Sequence, residues 1–476
     1  MKLKLTGKDL RKIGYPEGKV ISIAISVMQQ SFKHTAHREA LELLEKVLQD
    51  PKEYLDNETL GAIAAELVEK PQPETADEIP LNEERKEYTV FGADHIEAGA
   101  INQMEIAMRL PVTVAGALMP DAHQGYGLPI GGVLAAHNAV IPYGVGVDIG
   151  CRMCLSIYDL PESTLYGETK KLKNILQRET LFGAGREFSK PMDDEVLDRP
   201  EFRQIPLLRG LHDKAVRQIG SSGSGNHFVE FGIAEITDPA NEFGVPVGNY
   251  LALLSHSGSR GLGATIANHF TRIAMEKTPL PRQAKQLAWL SLESEAGQEY
   301  WLSMNLAGDY ASACHHQIHA KIARALGEKP LAMVENHHNF AWKEYHAGPG
   351  HARPGAEPQE LIVHRKGATP AGKGVLGIIP GSMTQPGFIV RGRGEADSLD
   401  SASHGAGRKL SRTAAKNSLT WSQVQDVLTQ NGITLLGGGL DEAPMVYKDI
   451  NQVMDFQRNL VDVVGRFQPK IVRMDD

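Results

Sequence analysis

The sequence predicts an α+β protein in which a large mixed domain, residues 87–476, follows a small N-terminal helical appendage and linker, residues 1–86. Three observations lead there. Residues 36–70 carry apolar side chains at three- and four-residue spacing, the period of an amphipathic helix. Pro71–Lys86 holds three prolines among many acids, which reads as a linker. From Tyr88 onward glycine becomes frequent, and apolar β-branched segments alternate with Gly/Pro turns. At ~150 residues per domain, 476 residues leave room for about three units. One large mixed unit with an appendage fits that length equally well.

In chain order, helices are expected over His37–Leu48 and Thr59–Val68, the second with Asn57 as N-cap and Pro71 as its stop. Helical periodicity returns over Pro281–Leu326. Residues 411–430, rich in Ser/Thr and Lys, and the amphipathic 449–465 also read as helices. Between them the strands are short and embedded in glycine-rich loops. No fixed-period repeat or low-complexity tract is present.

Several function classes are excluded early. A composition of 41% hydrophobic and 23% charged residues excludes wholesale disorder. The most apolar stretches, Val20–Met28 and Val133–Val147, are shorter than the ~18 residues of a membrane span or are interrupted by Gly, Pro and His. The N-terminus lacks the apolar centre of a secretory signal, so a soluble, cytoplasmic protein is expected. Three cysteines cannot form a disulfide framework for so long a chain. The net charge of −8 argues against coating nucleic acid by bulk charge. Residues 361–420 nevertheless hold nine Lys/Arg against three Asp/Glu, so basic charge is concentrated in one part of the chain.

Three constellations carry chemistry. In Asp148-Ile-Gly-Cys151-Arg-Met-Cys154 a carboxylate and a thiol three residues apart on a Gly-broken loop can turn onto one ion. That donor pair suits Zn²⁺, Mn²⁺ or Co²⁺ better than Mg²⁺ or Ca²⁺. A buried structural Cys beside a turn Asp is the plainer reading, and Cys154, in an apparent strand, reads as core. The second constellation is histidine beside Gly, Asn or Ser, at His123, His227, His256, His337/His338 and His404. Each alone reads as a hydrogen-bonded loop or core residue; together they could supply the ligands a metal centre gathers from distant loops. Cys314-His315-His316-Gln-Ile-His319 falls within an expected helix as its polar face. His364 sits at a strand end, where phosphate contact or packing is expected. The third constellation is the glycine loops Ser255–Gly263, Pro380–Met383 and His404–Lys409, whose N–H groups can form anion nests. Around them Arg365, Lys366, Lys373, Arg391, Arg393, Arg408, Lys409 and Arg412 point to a polyanionic ligand, or to a solvated basic face.

The full set resembles the RtcB family of RNA ligases. It comprises Pro120-Asp-Ala-His-Gln-Gly-Tyr-Gly-Leu-Pro-Ile-Gly-Gly, Gly146-Val-Asp148-Ile-Gly-Cys151-Arg, Gly225-Asn-His227-Phe-Val-Glu230, His256-Ser-Gly-Ser-Arg-Gly, His338-Asn, His364-Arg-Lys-Gly-Ala, Ile379-Pro-Gly-Ser-Met and Ser403-His404-Gly-Ala-Gly-Arg. The motifs stand in the family's order from about Tyr88 onward. The resemblance implies a mixed α+β catalytic domain with a loop-built dinuclear metal site in a cleft. It implies a GTP-dependent ligase using two Mn²⁺ ions, with Zn²⁺ or Co²⁺ as the other candidates. By similarity Cys151 bridges the ions, with Asp148 and His227 at one and His256 and His338 at the other; His338 is preferred to His337 because it precedes Asn339. His404 is the implied nucleophile toward GTP. Asn226, Phe228, Glu230, Asn339, Pro380, Gly381, Ser382, Met383, Gly405, Ala406 and Gly407 are the implied nucleotide contacts.

The implied reaction joins an RNA 3′-phosphate, or a 2′,3′-cyclic phosphate, to a 5′-hydroxyl through a histidine–GMP intermediate, in tRNA splicing or RNA repair. An archease-type activator is an implied partner. Arg260 and the basic stretch Arg365–Arg412 are expected to meet RNA phosphates. Two departures keep alternatives open. The family's C-terminal Lys-Gly is replaced by Val472-Arg-Met-Asp-Asp476, with Lys470 and Arg473 the nearest basic residues, and Thr384-Gln-Pro-Gly387 differs from the usual loop. The alternatives are a 3′-phosphate guanylyltransferase that caps without sealing, a metal-dependent phosphohydrolase, or an RNA-binding relative with a structural metal.

Overall fold

The structure, a computed structural model, describes residues 3, 5–16, 19–68, 78–347 and 357–476. Two compact units divide the chain, Met1–Asp77 and Glu78–Asp476. Residues 71–77 of the expected linker lie outside the described residues. Residues 78–86 belong to the larger unit, where the Asn82 and Lys86 amides donate to the Arg109 and Met108 carbonyls.

The first unit is helical: Gly7–Lys12, Lys19–Ser31, His37–Gln49 and Gly61–Leu67 enclose a core that includes Leu10, Met28, Leu44 and Ile63. Thr6 and Asp9 form a capping box on the first helix. Asn57 Oδ1 accepts from the amides of Thr59 and Leu60 at 3.0 and 2.9 Å, closing the turn that leads into the Gly61 helix. The helix Lys19–Ser31 is absent from the sequence expectation. Its buried stripe, Val20, Ala24 and Met28, is blurred by Ile21, Ile23, Ile25 and Val27, which read equally as a strand.

The larger unit is built on two main sheets. Five strands run in the order Thr89–Val90, Thr113–His123, Ile130–Ala136, Pro358–Lys366, Asn339–Ala347. The eight-stranded sheet runs Leu376–Ile379, Gly387–Gly392, Val461–Met474, Phe228–Ile236, Gly248–Ser257, Arg152–Tyr158, Pro330–His337, with Thr434–Leu436 pairing in parallel on Val461–Met474. Its consecutive neighbours are antiparallel, so chain starts and chain ends alternate along one edge. Cys151 precedes one strand and His227 another, His256 lies near the end of a third, and His338 follows a fourth. That edge is where the site forms.

Three helix expectations change. Over 281–326 the helix is Glu295–Leu326, started by the Ser294 hydroxyl; before it lie a short 3₁₀ turn and the strand Leu290–Ser291. Residues 411–430 split into Arg412–Ser418 and Trp421–Gln430, each with its own hydroxyl cap, Ser411 and Thr420. Over 449–465 only Ile450–Asp455 is helical, and Val461–Met474 is a 14-residue strand. Pairing on both sides, to Gly387–Gly392 and Phe228–Ile236, overrides the local period, and Pro469 is accommodated by a register shift. Among the described residues no helix is long and apolar enough to cross a membrane.

Phe467 of that strand is fully buried in a cluster with Leu254, Ile389 and Val464. Phe467→Ala should destabilise the protein by about 3–5 kcal/mol, seen as a lower denaturant midpoint. A shift corresponding to less than about 1 kcal/mol would show that this strand does not anchor the core.

Candidate active site

At the sheet edge the expected metal donors converge. Cys151 Sγ lies 3.1 Å from His256 Nε2 and 3.5 Å from His227 Nε2. His256 Nε2 is 3.2 Å from His338 Nε2, and His227 Nε2 is 2.9 Å from Asp148 Oδ2. The outer ring nitrogens are committed: His227 Nδ1 donates to the Ser222 carbonyl at 2.8 Å, and His256 Nδ1 to the Asn226 carbonyl at 3.0 Å. That fixes the His256 tautomer with its Nε2 lone pair inward, while His227 Nε2 faces the Asp148 carboxylate and, without an ion, donates to it. His338 Nδ1 is buried with no partner.

These residues fit a metal. Three imidazoles, a thiol and a carboxylate whose donor atoms each lie within 3.5 Å of a neighbour are the donor set a cation between them would need. Burial pushes the His256 pKa down to about 3 and that of His338 well below its usual value, so both rings are neutral, the form in which imidazole can bind a metal. Burial, and then the Asp148 charge, raises the Cys151 thiol; a divalent cation reverses that and holds the thiolate. Burial alone would raise Asp148, but the hydrogen bond and charge of His227 outweigh it. Gly258 approaches the Asp148 carboxylate so closely that any Cβ would strike it. Asn339 braces the loop from behind: its Nδ2 donates to the Asp148 carbonyl at 3.2 Å and its Oδ1 accepts from Gly367 N at 2.8 Å.

His404 stands beside this cluster, its ring centroid 5.0 Å from that of His338. Its Nδ1 and backbone amide both donate to Asp121 Oδ2, at 2.6 and 3.2 Å. Asp121 is fully buried, and its Oδ1 has no partner. Burial works to raise its pKa, but the charge and hydrogen bond of His404, helped by Lys448, hold it below the ordinary value. Lys448 Nζ donates to the carbonyls of Pro120 and Ala122, on either side of the aspartate. Gly407, at φ 71°, crosses this strand where a Cβ would run into the Asp121 carbonyl, so the His404 loop needs glycine there. Asp121 is a candidate site residue the sequence reading did not assign, although it lies inside the Pro120-Asp-Ala-His motif.

A cavity of about 290 Å³ opens from His404, His256 and His338. Asn226, Phe228, Glu230, Pro380–Met383 and Gly405–Gly407 line it, as does His123; Asn339 does not. Burial pushes the Glu230 carboxyl well above its ordinary pKa. Val472 and Met474 form the C-terminal contribution to the wall. Arg473 instead bonds the Leu436 carbonyl and Asp476 and lies over the Phe182 ring.

Much of the basic stretch is buried or paired with acids, while Lys373, Arg393, Lys409 and Arg412 keep exposed surface. Arg365 is fully buried on Glu344, Arg391 pairs with Asp238 and Glu242, and Arg393 with Asp462. Arg408 and Arg412 share Glu442, and Arg412 also takes Asp441. Lys366 is buried against the carbonyls of Tyr126 and Tyr143. His364 packs, donating to the Leu134 carbonyl and accepting from Ile141 N. His337 turns away from the cluster onto Phe340 and Trp342. His315 and His319 are buried beneath the sheet, so they are not a polar helix face; His316 is the half-exposed member.

A family model described as tRNA-splicing ligase RtcB matches residues 103–205 and 206–475. The chain is 32% identical over 405 residues to the RNA-splicing ligase RtcB of Escherichia coli K12, covering 78% of this chain and 92% of that protein. It is 31% identical over 448 residues to the tRNA-splicing ligase RtcB of Archaeoglobus fulgidus, covering 79% and 90%. To the tRNA-splicing ligase RtcB of Nanoarchaeum equitans it is 32% identical over 421 residues, covering 75% and 87%.

Two outcomes are expected. Cys151→Ala removes the sulfur donor and should weaken Mn²⁺ binding at least about tenfold by calorimetry; unchanged affinity would remove Cys151 from the ligand set. Burial holds His364 near pKa 4, below the ~6.5 of an unfolded imidazole. A depressed folded pKa gives stability that is present above the unfolded value and lost as the pH falls from about 6.5 toward 4. The denaturant midpoint of metal-free protein should therefore drop between pH 7 and pH 5, and a flat profile would contradict buried neutral histidines.

Proposed function

Because the chain belongs to the RtcB family, we propose that it is an RNA ligase that joins a 3′-phosphate end, or a 2′,3′-cyclic phosphate end, to a 5′-hydroxyl. The observation that carries this reading is His404, held by Asp121 in the same cavity as the glycine loops and the histidines of the metal cluster. With its proton on Nδ1, facing Asp121, His404 keeps Nε2 as the nucleophilic lone pair. Nε2 attacks the α-phosphorus of GTP, a P–N bond forms and pyrophosphate leaves. Asp121 stabilises the positive charge that develops on the ring, the role a buried aspartate has in other His–Asp pairs.

GMP then passes to the RNA 3′-phosphate, and the 5′-hydroxyl displaces it. A cyclic phosphate is first opened to the 3′-phosphate. Asp148, Cys151, His227, His256 and His338 would hold two metal ions, Mn²⁺ by preference over Zn²⁺ or Co²⁺, which supply Lewis-acid charge against the phosphates. Glu230 offers an acceptor to the N–H edge of guanine, with Asn226, Phe228, Pro380–Met383 and Gly405–Gly407 around the nucleotide. Arg260 is a candidate RNA-phosphate contact: its partners are the Ser221 hydroxyl and the Gly183 carbonyl, neither of them charged. The setting is cytoplasmic tRNA splicing or RNA repair, with an archease-type activator as a partner. Activation of the 3′ end without sealing is favoured by one observation, the Val472/Met474 wall where the family's terminal lysine would be expected.

Incubation with Mn²⁺ and GTP labelled at the α-phosphate should give an acid-labile, alkali-stable protein adduct. His404→Ala should abolish it, and Asp121→Asn should slow its formation by about 10²-fold or more. No adduct in metal-loaded wild type would sink the guanylylation step. An adduct with no joined RNA would favour the capping reading.

A further inference from the structure

A second set of metal donors lies across the sheet from the cavity. Met153 and His256, paired in register, line the cavity in front. Strand alternation turns their neighbours Cys154 and Ser255, also paired, to the opposite face. There the helix Glu295–Leu326 presents His315 and His319, four residues apart on one side. Cys154 and His315 are 0% exposed and His319 is 1% exposed. One donor atom from each of the three lies within 4.8 Å of the other two.

We propose that Cys154, His315 and His319 form a metal site, separate from the catalytic cluster, for a soft d¹⁰ cation, Cu⁺ or Zn²⁺. The hydrogen bonds around the rings support this. His315 Nε2 faces the Ser257 carbonyl at 3.2 Å and must donate to it, which leaves Nδ1 a bare acceptor 2.6 Å from Ser255 Oγ. His319 Nε2 lies 2.8 Å from the same oxygen, and its Nδ1 lies 2.7 Å from Ser156 Oγ. Two ring nitrogens therefore converge on the Ser255 hydroxyl oxygen, and each outer nitrogen has a carbonyl or hydroxyl partner, so an ion beside that oxygen would find both imidazoles oriented.

Binding balances simply. The Cys154 S–H bond breaks, its proton goes to solvent, and a sulfur–metal bond forms. His315 binds through Nδ1. His319 moves its proton from Nε2 to Nδ1, donates to Ser156 and binds through Nε2, with Ser255 Oγ as a neighbouring oxygen donor. Thiolate with two imidazoles selects soft ions over Mn²⁺. One thiolate with Cu⁺ sums to zero charge, which suits a fully buried site, whereas Zn²⁺ leaves a positive charge near Glu335, the residue paired with Cys154 on the other side.

The same hydrogen-bond chain satisfies both rings without an ion, so a sulfur–metal signature decides. Full-length Cys151→Ala, which lacks the front thiolate, is purified from cobalt-supplemented medium. A thiolate-to-Co²⁺ band in the near ultraviolet is expected, distinct from any Co²⁺ that Asp148, His227, His256 and His338 still hold through oxygen and nitrogen. The band should vanish in Cys151→Ala/Cys154→Ser and in Cys151→Ala/His319→Gln, and persist in Cys151→Ala/Cys314→Ser, with circular dichroism checking each fold. Separate anaerobic titrations with Zn²⁺ and Cu⁺ then identify the ion by which abolishes the thiolate–Co²⁺ band at the lower concentration. Absence of the band in Cys151→Ala, or its persistence without Cys154 or His319, would overturn the site whatever the protein's activity toward RNA.

Discussion

The structure depends on where an antiparallel sheet puts its strand ends. Neighbouring strands that begin and end at one edge bring Cys151, His227, His256 and His338 together, although 187 positions separate the first from the last. Each donor sits one residue outside a strand or near its end, where the backbone is held but the side chain need not follow the pleat. The sheet's hydrogen bonds therefore set the donor geometry before any ion binds, which is the preorganisation a metal centre requires. Strand alternation then gives the sheet two polar faces, the cavity in front and the His315/His319 pair behind.

A buried carboxylate is the second constraint. Asp121 is removed from water, a loss of several kcal/mol that only pairing offsets. His404 supplies that pairing twice, through its ring and its amide, while Lys448 adds positive charge on the flanking carbonyls. The same contact that neutralises the aspartate fixes the histidine tautomer, so stability and the orientation of His404 are one interaction. Gly407 lets the loop come close enough for it to form.

Charge counted along the chain misleads here. The basic stretch between residues 361 and 420 meets acids from Glu344, Asp238, Glu242, Glu442, Asp441 and Asp462, all outside it. Arg408 and Arg412 line the cavity and are braced by Glu442, which also accepts from Tyr447. They present a fixed geometry in place of a loose positive field, as suits planar guanidinium groups.

The sequence alone determined the donor types, the glycine loops and the helical character of His37–Leu48 and of most of 281–326, because residue chemistry and local period need no partner. Its motifs named the cavity-lining residues Asn226, Glu230, Ser382 and His404, since backbone approach to a ligand constrains short segments. Only the tertiary structure decided that 461–474 is a strand, because its pairing partners lie at Phe228–Ile236 and Gly387–Gly392 and override the local pattern. Only it could assign Asp121, whose partner is 283 residues away. It also separated His338 from His337 in space and sent Asn339 behind the metal loop. Such choices turn on which face of a strand a side chain takes, and that is fixed by register with distant strands and not by any neighbouring residue.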